Sequence, residues 1–403
     1  MVFVRGHPED FNRWASYGLE KWNYANVLPY FKKLETWSGG ENLYRGGKGP
    51  LKVNKSEINN KFPLFQKVLE AAKESGYEIY EDVNGYKQEG FVPDRDIIIA
   101  LTADEEGGEH NGVQWLLENH RELIDAEYAL NEGGGGEIKD GKHRINAVQA
   151  SEKVYQNFNL RTVNPGGHSS LPRDDNAIYE LAEALVRISE YQFPIELNEV
   201  TEAYFRGTAE VEGGSVAMNI NTMLADPTNE LAVARIQSEP GWNARLRTTC
   251  VATRLDGGHA NNALPQTAEA IVNCRILPTH NPQDVLSSLR RVVGTQVEVT
   301  PMGQANPSPP SPLRTSVLEP IQQITEEMWP GVPIVPIMAT GATDGLYLRR
   351  AGIPTYGVSG IFADVDDNRA HGQDERILIK SFFEGQEFLF RLVKALSSPA
   401  GVS

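Results

Sequence analysis

Hydrophobic and polar positions alternate in two styles along the chain, and the style changes near residue 95. Residues 1–91 are aromatic-rich and read as helices joined by loops. In "PLFQKVLEAAKESGY" the apolar positions Leu64, Phe65, Val68, Leu69 and Ala72 follow a helical spacing, and Gly76 is a natural stop. From Arg95 onward the runs shorten. "DIIIALTA" predicts a short buried strand, "NGVQWLLENHREL" a helix and "AEYALNEG" a second strand, together a βαβ-like unit. "NEGGGGEIKDGKHR" reads as a flexible loop. In "QNFNLRTV", Phe158, Leu160 and Thr162 alternate with polar neighbours, the mark of a half-buried strand. "NAIYELAEALVRI" lines Ile178, Leu181, Leu185 and Ile188 along one helix face. "EAIVNCRILP" predicts a strand, and "PQDVLSSLRRVVG" a helix with Pro at its start and Gly at its end. The proline-rich "NPSPPSPLR" is a connector, after which "VPIVPIMAT", "IPTYGVSG" and "SFFEGQEFLFRLVKAL" resume strand and helix character. The simplest architecture is an α/β domain with a mixed sheet, residues 95–152 and 313–403. It is interrupted by a separate α+β module over 153–305 and preceded by residues 1–91.

Composition narrows the function classes. The 403 residues carry a net charge of -16 with pI about 5.1, which argues against nucleic-acid binding and against docking on anionic membranes. No apolar run reaches the length of a membrane span, and the N-terminal stretch has no signal-peptide pattern, so a cytoplasmic location is the default expectation. Cys250 and Cys274 sit in no Cys-x-x-Cys pattern, so neither a disulfide framework nor a thiolate zinc site is expected, and each is assigned a structural role.

Candidate chemistry gathers where strands end. Ligands of open α/β sheets bind beyond the carboxyl ends of the strands. Glu105 and Glu106 follow the first predicted strand, Glu132 follows the next, and His371 lies in "RAHGQDERI" after "TYGVSG". Adjacent carboxylates can divide the work, one ligating a metal while the other takes a proton from the metal's water. Spacing alone leaves "DEE" open between such a pair and a solvated acidic loop.

The motifs taken together resemble a known family. "RDIIIALTADEEGG", "AEYALNEGGGG", "NPGGHSSLPRDDNAI", "GGHANNALPQTAEAIVNCRILP" and "MATGATDGLYLRRAGIPTYGVSG…RAHGQDERI" are similar, in order, to the co-catalytic zinc peptidases: aminoacylases, glutamate carboxypeptidases and succinyl-diaminopimelate desuccinylases. The resemblance covers about 95–403. It implies a centre with two zinc ions, Glu105 as general base, Glu106 and His371 as ligands of one zinc, and Glu132 as ligand of the other. It implies that His168 reaches a partner subunit's site and steadies the oxyanion. Arg275 and one of Asn261 or Asn262 would hold the substrate's carboxylate and carbonyl, and Gly341 would offer a backbone contact. The module over 153–305 corresponds to a lid and dimerisation domain, and the substrate to a small peptide or N-acyl amino acid.

The family's earlier half, a His-x-Asp motif and then a metal-bridging Asp, has no counterpart here. His7, in "GHPED", is the only histidine ahead of Thr102. Residues 1–91, with "MVFVRGHPEDFNRWASYGLEKWNYANVLPYFKKLE" and "KGPLKV", instead resemble an internal fragment of the glucose–methanol–choline flavoprotein oxidoreductases, choline-dehydrogenase-like members especially. No G-x-G-x-x-G loop precedes that stretch, so FAD is not expected to bind. A junction near 91–95 between two incomplete enzymes follows. Three functions compete: an impaired zinc metallohydrolase with at most one weakly held metal, a flavin oxidoreductase fragment, and a non-catalytic dimerising remnant.

Overall fold

The structure is a computed structural model and describes residues 5, 6, 8–54, 73, 93–107, 110–367 and 369–398. The helix expected over residues 63–77 falls outside the described residues except for Lys73, and so does His7. The chain divides into two compact units that meet in sequence at Arg95 and Asp96.

In the first unit, helices α1 (Pro8–Ser16) and α2 (Tyr24–Leu34) lead into two short parallel strands, β1 (Glu35–Trp37) and β2 (Leu51–Val53). Phe11 packs edge-on against Trp14 and Phe31, with ring centroids 5.3 and 5.6 Å apart. Glu35 is fully buried. Its carboxylate meets the guanidinium groups of Arg5 and Arg45 and accepts the Gly46 N–H at 2.8 Å. A buried carboxylate needs this many partners, because losing its water is otherwise too costly.

Among its described residues the second unit holds two larger sheets and a two-stranded one. The larger is mixed: β3 (Ala129–Asn131), β4 (Gly135–Lys139), β5 (Lys142–Glu152), β12 (Ile334–Ala339), β13 (Thr355–Gly357) and β14 (Phe362–Asp364). β5 is central, antiparallel to β4 and parallel to β12. Val148 and Ala150 of β5 pack with Val317, Ile321, Tyr356 and Phe388, a core covered by α10 (Thr315–Met328) and α12 (Ile379–Ser397). On another side, Ile145, Ala147 and Val335 pack with Phe205, Ile220, Met223 and Ile236, from α5 (Glu199–Glu212), α6 (Gly214–Ala225) and α7 (Glu230–Gln237). The helices of residues 199–237 thus lie on the mixed sheet.

The smaller sheet is antiparallel, in the order β11 (Glu298–Met302), β6 (Val154–Val163), β10 (Thr267–Ile276), β8 (Thr249–Gly257). Its inner face, with Phe158, Leu160, Val272 and Ile276, packs on Leu181 and Ile188 of α4 (Ala177–Glu190) and on Leu286 and Leu289 of α9 (Pro282–Val293). The helices and strands expected from "NAIYELAEALVRI", "QNFNLRTV", "EAIVNCRILP" and "PQDVLSSLRRVVG" all form.

Three expectations need correction. "DIIIALTA" is extended but pairs with no strand among the described residues, and Ile99 and Leu101 are 80% and 93% exposed. A buried apolar run becomes a strand only when a neighbour supplies ladder bonds. "NEGGGGEIKDGKHR" is not a flexible loop but holds β4 and the start of β5. Asp140 and Gly141, at φ 51° and 72°, make the tight turn that an Asp-Gly pair favours. Gly134, at φ +67°, lies so close to the Gly357 and Ala147 carbonyls that any side chain would collide with them. Finally, Cys250 and Cys274, directly opposite on β8 and β10, form a disulfide. Their pairing is set by the strand register, which 24 residues of sequence separation conceal.

The chain crosses between the two sheets at Lys153, near residues 195–198, at 247–249 and near 277–280. These crossings are tied by polar contacts. Lys153, almost fully buried, donates to the Ala244 and Arg247 carbonyls and to Thr249 Oγ1 at 2.8, 2.9 and 3.0 Å. His280 bridges Thr248 Oγ1 at 2.8 Å and the Glu196 carboxylate at 2.7 Å. Burial, then the charges of Arg275 and Arg245, push the Lys153 ammonium down to about 7.

Two outcomes follow. Leu160→Ala, in the core of the small sheet, should lower stability by about 2–5 kcal/mol in urea titration. Leu255→Ala on the exposed β8 should stay within about 0.5 kcal/mol. Because the unfolded chain holds the Lys153 proton more tightly than the folded chain, this group makes stability rise with pH between about 7 and 10.5, and its contribution levels off below about 7, where both states hold the proton. Lys153→Met should remove that part of the slope in a pH series of denaturation curves.

Candidate active site

The carboxylates expected at strand ends do come together in part. Glu105 follows the unpaired run 96–103 and lies near enough to Glu132, which follows β3, for the two carboxyl groups to act on each other. Burial, then the Glu132, Asp344 and Glu106 charges, push the Glu105 carboxyl up to about 7. Asp344, nearly buried at the start of α11 (Gly345–Arg350), accepts the Asn111 amide at 2.5 Å. Asp104 and His371 hold φ of 69° and 62°, a left-handed backbone that is sparsely populated without glycine and tends to occur at functional sites. His371 Nδ1 stands 4.0 Å from Glu106 Oε2, and the two side chains are 79% and 80% exposed.

A second cluster joins the two sheets. Arg275, at the end of β10, donates to the Thr340 carbonyl at 3.4 Å and lies 4.7 Å over the Tyr155 ring. This brings Arg275 beside Gly341, whose Cα faces open space. Beneath that loop lies the buried carboxylate of Glu152. It ion-pairs with Arg349 at 2.8 Å and accepts from Thr343 Oγ1 at 2.9 Å and Gln149 Nε2 at 3.0 Å. Burial raises the proton affinity of Glu152, and Arg349 and Thr343 oppose the shift.

The third cluster is a hairpin tip. β7 (Gly167–His168) pairs with β9 (Ala263–Leu264), and the Ser169 N–H donates to the Asn262 carbonyl at 3.1 Å. His168 Nδ1 lies 2.8 Å from Ser170 Oγ and accepts the Ser170 N–H at 3.2 Å, which fixes the ring. The same tip carries Asn261. Among the described residues no hydrogen bond or ion pair links His168, Asn261 or Asn262 to Glu105, Glu106, Glu132 or His371.

Sequence reasoning overlooked Asp344, Asn111 and Glu152. Asp344 and Glu152 each lie within three residues of a position it did single out or at a strand end, but only the fold shows that they face the same loop.

The comparisons with known proteins belong beside this geometry. The family model for peptidase family M20/M25/M40 matches residues 65–395. The chain belongs to that family. A second model, GMC oxidoreductase, matches residues 1–95. Over 91 residues the chain is 55% identical to the oxygen-dependent choline dehydrogenase of Rhizobium meliloti (strain 1021) and 52% identical to the mitochondrial choline dehydrogenase of Mus musculus. That stretch is 23% of this chain but only 16% and 15% of those proteins, so the chain spans about a sixth of these relatives. Among solved structures, an M20 family metallo-carboxypeptidase from Sulfolobus solfataricus aligns at TM-score 0.49 and 17% identity, over 73% of this chain and 68% of that one. A dinuclear metal binding peptidase of the M20 family from Bacillus subtilis aligns at TM-score 0.42 and 12% identity, over 73% and 64%.

Family membership implies a metal pair, and the described side chains do not gather into a site that fits one. A metal centre takes three or four protein ligands. Among the described residues no group of three or more His, Cys, Asp or Glu side chains is placed to hold a metal ion. Glu106 and His371 only approach one another, out in solvent, and Glu132 faces Glu105.

Removing Arg349 should be costly, because Glu152 would be left as an uncompensated buried charge. Arg349→Met is expected to lower stability by about 3–5 kcal/mol, and adding Glu152→Leu should restore much of the loss. Equal losses in the single and double variants in chemical denaturation would contradict a coupled pair.

Proposed function

We propose that this chain descends from a metallohydrolase of the aminoacylase/carboxypeptidase type that cleaves an amide bond next to a free carboxylate, and that its metal centre is incomplete. The single observation that carries the reading is the approach of Glu105 to Glu132, which follows β3 of the mixed sheet, inside a chain of the M20 family. Glu105 is the proton acceptor for the attacking water. Arg275, held over Tyr155 and against the Thr340 carbonyl, takes the substrate carboxylate, and the Gly341 backbone lies beside it. His168, with Asn261 or Asn262 on the same hairpin, acts at the oxyanion of a second subunit's substrate.

The reading includes a homodimer through the module over 153–305. The exposed Tyr179 and Val186 on α4 are the surface for that contact. Glu106, Glu132 and His371 keep the family's ligand types, but the first zinc histidine and the bridging aspartate have no counterpart. Losing ligands should lower metal affinity by more than the roughly 10–100-fold typical of removing supporting groups.

A second reading is carried by residues 1–95 alone: a fragment of a flavin-dependent, choline-dehydrogenase-like oxidoreductase. Bound flavin, visible as yellow colour in purified protein, decides it.

The experiment is zinc per chain by mass spectrometry after reloading and desalting, together with hydrolysis of a panel of N-acetyl amino acids and dipeptides. We expect less than about one zinc per chain and hydrolysis near the blank, given the missing ligands. About two zinc ions per chain with turnover would overturn the incomplete centre. In that event Glu105→Gln should lower kcat by about 100-fold or more with little change in KM. An unchanged kcat would remove Glu105 from the chemistry.

A further inference from the structure

Cys250 and Cys274 occupy directly opposite positions on β8 and β10, with their Cα atoms 4.1 Å apart. That spacing is close to the roughly 4.5 Å of an antiparallel pair between hydrogen-bonded rungs. The bond therefore closes across the sheet with the ladder intact, and the ladder does not need the bond in order to form. The two sulfurs differ in setting. Cys274 is fully buried in the core of the small sheet, whereas Cys250 is half-buried on β8, the edge strand. Beyond Cys250, residues 251–257 of β8 are exposed and have β10 as their sheet partner on one side alone.

The next rung toward the crossing pairs Arg275 with Thr249. Thr249 Oγ1 is one of the three acceptors that hold the buried Lys153 ammonium, and Thr248 holds His280. The covalent link thus lies one residue from the polar contacts that tie three chain crossings together.

We propose that the Cys250–Cys274 pair is a site of reversible thiol–disulfide exchange, reduced by a dithiol, that clasps edge strand β8 to β10 at the joint between the two sheets. A thiolate of the dithiol attacks the more accessible Cys250 sulfur. The Cys250–Cys274 bond breaks, and Cys274 departs as a thiolate and takes up a proton. The second thiol of the dithiol then displaces Cys250. The pair gains two electrons and two protons, and the dithiol leaves as its own cyclic disulfide. With the bond open, β8 keeps its ladder bonds but loses its covalent anchor, so it frays from the edge and Thr249 is less firmly held against Lys153. This does not depend on the hydrolase reading.

The test uses the full-length chain purified without reductant. Iodoacetamide should label neither cysteine before reduction. It should label at least Cys250 after dithiothreitol treatment of the folded chain. Amide hydrogen exchange over residues 250–257 should become roughly tenfold faster on reduction and return on reoxidation, as expected when an edge strand loses an anchor. The double variant C250S/C274S should exchange like the reduced chain and be insensitive to dithiothreitol. Labelling of both cysteines before reduction would overturn the bond itself. Failure of dithiothreitol to open it in the folded chain would overturn reversibility, and unchanged exchange over β8 after opening would overturn the clasp. The wild-type measurements decide all three even where the double variant does not fold.

Discussion

The second unit depends on β5 and on how it ends. Glu152 and Lys153 are neighbours of opposite charge, and both are almost fully buried. They are not each other's partner. Successive side chains of an extended chain point to opposite sides. Glu152 goes to Arg349 and to the loop that carries Gly341 and Asp344, while Lys153 goes to the carbonyls and hydroxyl at the other chain crossings. A buried charge tolerates only a well-partnered site. These two residues therefore fix where the loop and the small sheet sit relative to the end of β5. Val148 and Ala150, earlier on the strand, hold it by apolar packing, and the two charges specify its register.

The same requirement for partners explains the half-built candidate site. Glu152, Arg349 and Thr343 are buried or half-buried and tied to one another, which defines their positions. Glu106 and His371 are about four-fifths exposed and stand 4.0 Å apart. The apolar run that leads to Glu105 has no strand beside it among the described residues, and its isoleucines face solvent. A ligand carried on a segment without ladder bonds cannot be held to the few tenths of an ångström that metal coordination demands. Among the described residues, Glu106 and His371 therefore have neither a third His, Cys, Asp or Glu beside them nor a paired strand leading to Glu106.

Much of the fold was legible in the sequence because the inner elements of the small sheet follow a single period. Phe158, Leu160 and Thr162 alternate, and Leu181 and Ile188 recur at helical spacing, with Pro282 and Gly294 bounding a helix. The errors fall where local pattern and tertiary partner disagree. The glycine run 133–136 suggested flexibility, yet it is compact because backbones approach one another there, and the Asp140-Gly141 turn was a readable hairpin signal that the glycines masked. The isoleucines of 97–99 carry a strong strand propensity, but propensity cannot provide a neighbour. For the site, Glu105, Glu132, Arg275 and Gly341 were accessible as motifs. Asp344, Asn111 and Glu152 were not, since nothing in their local spacing says that residues 111, 152 and 344 share one loop environment.

Family membership and present chemistry rest on different parts of this chain. Membership comes from the match over residues 65–395. Chemistry would require a few side chains to hold their geometry against solvent. Those tied to Glu152 and Lys153 do so by burial, whereas Glu106 and His371 do not. The Cys250–Cys274 bond lies on the well-held side of that division, next to Arg275 and Thr249. The joint at Lys153 and the loop over Glu152 are therefore the parts that buried polar contacts hold in place.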